Sequence, residues 1–164
     1  MAFNGSGLFS LTFRDALDTS QITIDLLLTT HKLALFNDTI TQPNFDTNTA
    51  YAVAPFNANE VTDTNWPSGG RLLSTAASGG TSVVPTWDVG AAGQLKYDHT
   101  NDVSVASTTI VSAMGVLLHA DAQTTPVAKP AIVLVDFLTA ASTSNGTFGI
   151  QWDALGIFTI DLVP

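Results

Sequence analysis

The chain of 164 residues has no cysteine. That excludes disulfides and thiolate metal centres, and leaves any metal to His, Asp, Glu or Asn. Charge is scarce too. Only 12% of residues are charged, against about a quarter in ordinary soluble domains. The five basic residues, Arg14, Lys32, Arg71, Lys96 and Lys129, are scattered along a chain of formal net charge −9. Nucleic-acid partners need clustered Lys and Arg to displace counterions, so none is expected. Glutamate occurs once, at Glu60. Long apolar runs are missing: the longest, Ala131–Leu138, is interrupted by Asp136 and falls far below the ~20 residues of a membrane span. The first residues, Met1-Ala-Phe-Asn-Gly-Ser-Gly, lack a basic region followed by an apolar one. No membrane association is expected, and the chain reads as made in the cytoplasm and acting without export. Heptads, Gly-X-Y tracts and repeats of 20–50 residues are not seen.

What is present is a 45% hydrophobic chain whose polar complement is mostly Thr, Ser and Asn. Disordered chains carry fewer apolar residues and more charge, so this one should fold. Its length fits one domain, 1–164. Surface scaling gives roughly 7,800 Å² exposed when folded against about 25,000 Å² unfolded, so a core can form without staples. A neutral polar skin suits a protein packed against other proteins, as well as a merely acidic soluble domain.

The apolar residues come in short β-branched and aromatic runs bounded by Gly, Asn, Ser or Pro, the mark of strands. Ala131–Leu138, Gly146–Trp152 and Gly156–Leu162 show it best. Alternation marks Ile22–Leu26 as strand or extended chain, and predicts strands at His31–Phe36 and Gln94–Asp98. Arg71–Thr75 and Ser82–Trp87 read as strands separated by Gly79-Gly80, and Val103–Val105, Thr109–Ser112 and Gly115–His119 continue the pattern. Phe148–Trp152 and Ile157–Leu162, joined through Asp153-Ala-Leu-Gly156, read as a closing hairpin. Asn145-Gly146 is a further turn signal. Phe9, Phe13, Ala16 and Leu17 recur at helical spacing, which predicts a short helix in an N-terminal arm, 1–20, capped by Ser6 or Gly7. Phe9, Leu11 and Phe13 also alternate, so a strand is the competing reading. Residues 38–70 are polar and irregular, with Pro43, Pro55, Pro67 and Gly69-Gly70 and one helical turn expected at Asn57–Glu60. So long a loop in a small domain is usually functional or interfacial. The fold class is therefore mainly all-β, an antiparallel β-sandwich or jelly-roll-like body with a short N-terminal helix and a long irregular loop.

The residues that could carry chemistry do not converge in sequence. His31, His99 and His119 are separate, and His31 and His119 sit in apolar strands, where they read as edge or interface residues. No Gly-x-Ser-x-Gly elbow, P-loop or Gly-x-Gly-x-x-Gly occurs. A glycosidase would need paired carboxylates, and a lone Glu with Asp residues at turns does not offer them. Asp98-His-Thr-Asn-Asp102 and Asp46-Thr-Asn-Thr49 are the densest oxygen-ligand segments, but neither has EF-hand spacing, and Asx-rich turns form for local hydrogen-bonding reasons. Trp152 shares a strand face with Phe148 and Ile150 and reads as core. Trp66-Pro67 lies in a loop and reads as a contact residue. No catalytic residue, metal or cofactor is expected.

Lys32–Asn37, Thr41–Tyr51, Asn57–Val61, Trp66–Gly70, Asp102–Thr109 and Gly146–Asp161 together resemble small virion structural proteins of tailed bacteriophages. The resemblance covers most of the chain and lies in patterned β segments rather than an active-site motif. It implies a capsid decoration (cement) protein on the virion surface that binds the major capsid protein, as a homo-oligomer, a trimer. A minor tail or head-fibre component that binds host glycan is the alternative, and a β-sandwich hydrolase a third. Exposed-apolar logic puts the contact regions of such a protein in the N-terminal segment, with Phe3, Leu8, Phe9 and Phe13, and in the 43–67 loop, with Phe45, Tyr51, Phe56 and Trp66.

Overall fold

A computed structural model describes residues 4–18, 23–74, 83–91, 93–99 and 103–162. Phe3, Ile22, Thr75, Gly79-Gly80, Ser82 and the 100–102 part of the Asp98–Asp102 turn lie outside these residues. The elements in chain order are β1 (Gly7–Leu8), α1 (Ser10–Leu17), β2 (Lys32–Asn37), β3 (Glu60–Val61), β4 (Arg71–Leu72), β5 (Thr86–Val89), β6 (Gln94–Asp98), β7 (Val103–Thr108), β8 (Ala113–His119), β9 (Ala131–Ala141), β10 (Gly146–Ile150) and β11 (Phe158–Asp161). Among the described residues all pairings are antiparallel and there is one short helix; the fold is all-β.

The centre is a six-stranded sheet in the order β1-β9-β8-β2-β3, with β4 also paired to β2. Two smaller sheets, β10-β7 and β11-β6-β5, complete the strands. The middle of the central sheet, β2, β8 and the first residues of β9, is buried on both faces. Leu33 and Leu35 of β2, Val116 and Leu118 of β8 and Ile132 of β9 face one side, where Val103, Val105, Phe148 and Ile150 of the β10-β7 sheet and Tyr97 of β6 meet them. Ala34 and Phe36, Met114 and Leu117, and Ala131 and Leu134 face the other side. Strands covered twice carry continuous apolar runs, whereas one covered face would give clean alternation. β8, Ala-Met-Gly-Val-Leu-Leu-His, is buried along its whole length.

The cover of the second face comes from the 38–70 segment and the arm. Phe9, Ile40 and Phe56 are fully buried there, with Phe45 and Tyr51 packed at the margin. The Phe9 ring meets Phe45 and Phe56 edge-on at 5.2 and 5.7 Å, and Phe36 meets Phe56 at 5.3 Å, a geometry that the ring quadrupoles favour. α1 starts at Phe9 without a side-chain cap, and neither Ser6 nor Gly7 takes that place. Its first residue is held instead by the loop: Ser10 Oγ donates to Asp46 Oδ1 at 2.7 Å.

Several sequence expectations are corrected. The closing hairpin is not one. The tight turn is there, with Gly156 N donating to Asp153 O at 2.9 Å, but β10 pairs with β7 while β11 pairs with β6. Gly156 passes so close to β6 that a Cβ would lie 2.6 Å from the Tyr97 carbonyl oxygen, and Ile157 N bonds that oxygen at 2.9 Å. The chain is thereby steered into the other sheet. Thr109–Ser112 is a connection rather than a strand, pinned where Ile110 N donates to Thr143 Oγ1 at 3.0 Å. Asn57–Glu60 is not helical: Glu60 opens β3. The described part of the Ile22–Leu26 segment joins no sheet, and Leu26 lies in a turn. The strand expected from Ser82 to Trp87 is displaced to Thr86–Val89.

Candidate functional site

The segment expected to be an interface loop is a layer of the fold, and its aromatic residues point inward. Of the expected contact residues, Phe9, Phe56 and Trp66 are fully buried, and Leu8, Phe13, Phe45 and Tyr51 are half-buried. Phe13 lies edge-on against Phe158 at 5.8 Å. Trp66 is not the loop-tip contact its Pro neighbour suggested. Its Nε1 donates to the Leu33 carbonyl at 3.1 Å and its ring meets Phe148 at 5.3 Å. The reason lies in β2 and β8, both of whose faces are apolar: Phe56 covers one and Trp66 the other.

The outer surface of this layer carries two neighbouring open clefts, of about 370 and 410 Å³, that share Asn57, Ala58 and Asn59. Amides and hydroxyls dominate the lining: Thr41, Gln42, Asn44 and Asn48 on one side, Thr62 and Ser68 on the other. Glu60 is the one charged residue among them. Tyr51 Oη and Ser68 Oγ both donate to its Oε2, at 2.6 and 2.9 Å, and Gly69 N donates to Oε1 at 2.9 Å. Both carboxylate oxygens therefore already accept bonds from the chain itself. Burial, followed by the bond to Glu60, raises the Tyr51 pKa, so the phenol stays a donor.

Beneath Tyr51 lies His119, stacked on its ring at 4.6 Å and 11°. All three histidines are inside, which corrects the edge or interface placing of His31 and His119. Each ring is fixed by a main-chain carbonyl: His31 Nε2 by Asp25 at 2.9 Å, His99 Nε2 by Val83 at 3.1 Å, His119 Nε2 by Gly69 at 3.0 Å. Burial drives the His119 pKa down to about 4 and lowers that of His31. His119 is thus neutral at ordinary pH, with Nε2 as its donor nitrogen. Nearby, Lys32 and Lys129 both pair with Asp121, at 2.7 and 2.9 Å. The Glu60–Tyr51–His119 assembly ties the loop layer to β8 through the Gly69 backbone, a structural use of groups that elsewhere do acid–base work. Sequence reading missed Glu60 as the hub, and its being the only glutamate was the available signal.

Among the described residues no group of three His, Asp or Glu side chains could hold a metal ion, and no helix is long and apolar enough to cross a membrane. Asp98 pairs with Lys96 at 2.9 Å, and Asn44, Asp46 and Asn48 close local turns, Asp46 N donating to Asn44 Oδ1 at 2.8 Å. Comparison with known family models, curated proteins and solved structures finds no match to this chain.

Proposed function

We propose that this chain is a bacteriophage virion structural protein, a capsid decoration protein that binds neighbouring major-capsid subunits as a homo-oligomer, a trimer, and stabilises their lattice. The observation that carries this reading is the direction of the 38–70 layer. Phe45, Tyr51 and Phe56 are spent on the second face of the central sheet and Trp66 on the first, and the clefts on its outer surface are lined by Asn, Thr, Gln and Ala with Glu60 as the one charge. Such a surface, on a β-body buried in two layers, suits many weak, repeated protein contacts that gain strength by avidity. Its single glutamate is engaged in bracing the fold, which supports a binding role over a catalytic one.

Quantitative mass spectrometry of purified virions, against the major capsid protein, tests it. The expected ratio is near one copy per capsid subunit, and absence from virions overturns the reading. A few copies per particle supports instead the tail or head-fibre alternative. That alternative draws on the paired clefts beside Asn57–Asn59, whose shared wall and amide-rich lining suit a neutral glycan. A glycan array read alongside the copy number separates the two.

A further inference from the structure

The three-stranded sheet has two unlike faces. Register places Trp87, Tyr97 and Phe158 directly opposite one another, and their rings, 5.0 to 5.7 Å apart, close against the main core. The next row on the same face is Val89, Leu95 and Ile160, again directly opposite. Leu162, two residues past Ile160 and held by its N–H to Gly93 O at 2.7 Å, continues that side. This outer row is only partly covered by the described residues: Val89 is 72% exposed, Leu162 63% and Leu95 36%, while Ile160 is half-buried. By alternation every charged residue of these strands, Asp88, Lys96, Asp98 and Asp161, lies on the opposite face. There Lys96 pairs with Asp98 at 2.9 Å, and Gln94 Nε2 donates to Asp161 Oδ1 at 2.8 Å.

We infer that a second copy of this chain docks on the Val89–Leu95–Ile160–Leu162 face. Two copies of a chain with net charge −9 repel wherever carboxylates meet. This face lets them meet without apposing any charge, and aliphatic rows on facing sheets interdigitate at the ordinary ~10 Å spacing. A lipid surface fits less well, because the patch has no basic rim to draw an acidic chain to anionic headgroups. The four side chains expose on the order of 300 Å² of apolar surface. Two such patches come to about 600 Å² of apolar surface, half of the roughly 1,200 Å² at which stable specific interfaces begin. Association is therefore weak and concentration-dependent. The same patch on both copies makes a two-fold contact that closes as a dimer, so the inference goes beyond the trimer proposed above and does not rest on it. It needs no virions to test, so its failure leaves capsid placement to the copy-number measurement.

Sedimentation velocity on the full chain from about 1 to about 200 µM reads it. The weight-average mass is expected to rise above that of one chain. Val89→Lys with Leu95→Lys, and separately Leu162→Asp, hold it at one chain with an unchanged circular dichroism spectrum. Val111→Lys, at an equally exposed valine away from this sheet, leaves association intact. A single monomeric species throughout the range overturns the inference, and so does association that survives both sets of substitutions.

Discussion

Acidification below pH 6.5 should destabilise this protein through His119, before its carboxylates protonate. The imidazole is completely buried, its Nε2 donates to Gly69 O at 3.0 Å, and its Nδ1 is buried without a partner. Burial is the largest cause of its lowered pKa. The Gly69 carbonyl and Asp121 act in the opposite direction, while Lys129 and Lys32 add to the lowering. The sign follows from linkage. Above the unfolded value of about 6.5 both states are neutral and the group contributes nothing to pH dependence. As pH falls towards about 4 the unfolded chain takes a proton that the folded chain refuses, so stability is lost across that window and levels off below it. The shift from 6.5 to about 4 corresponds to about 3 kcal/mol in full, of which about 2 kcal/mol is lost by pH 4.5. His31, shifted the same way, adds to the loss. Asp121, whose pKa is lowered by Lys32 and Lys129 against its own burial, keeps its contribution until pH falls below the ordinary carboxylate range. The assay is urea unfolding followed by tryptophan fluorescence at pH 7.0, 5.5 and 4.5. The midpoint should fall by about 1 M between the ends, at an m-value of about 2 kcal/mol/M. His119→Gln lowers stability at pH 7 but flattens the pH slope. Equal slopes in the parent and His119→Gln would refute the reasoning, whatever their absolute stabilities.

Two further outcomes test the two-faced core. Phe56→Ala should cost about 3–5 kcal/mol in urea unfolding, as removal of a buried aromatic does, while Val53→Ala, in the same segment but 44% exposed, costs less than about 1 kcal/mol. Gly70→Ala should cost about 2–4 kcal/mol, since its Cβ would sit 2.2 Å from the Leu33 carbonyl oxygen at φ +83°. Gly69→Ala, at φ +84° with nothing within 4 Å, costs only the backbone penalty of about 1–2 kcal/mol in thermal or urea melts.

Strand existence was legible wherever local chemistry decides it. β6 matches Gln94–Asp98 to the residue, and β2, β8, β9, β10 and β11 sit within a few residues of the runs that foretold them. The helix over Ser10–Leu17 followed from the spacing of Phe9, Phe13, Ala16 and Leu17. Partnership was not legible. Nothing in Asp153-Ala-Leu-Gly156 says that the strands on either side belong to different sheets. That depends on Gly156 meeting Tyr97, 59 positions earlier in the chain. Nor does a window around Trp66 show Leu33 and Phe148 waiting for it, and without those partners an aromatic in a Pro- and Gly-rich stretch looks like a surface contact.

The sequence by itself determined that this chain folds without disulfides into antiparallel β structure. Periodicity, turn residues and the lack of cysteine and charge are local properties that each segment carries with it. The tertiary structure alone decided which surface is inside. β2 and β8 read as strands whether one face is covered or two. Only assembly shows that the second face exists, that Phe9, Ile40 and Phe56 close it, and that Glu60, Tyr51 and His119 pin the cover in place. Burial is a property of pairs of surfaces far apart in the chain, and a residue's own neighbours in sequence do not record it.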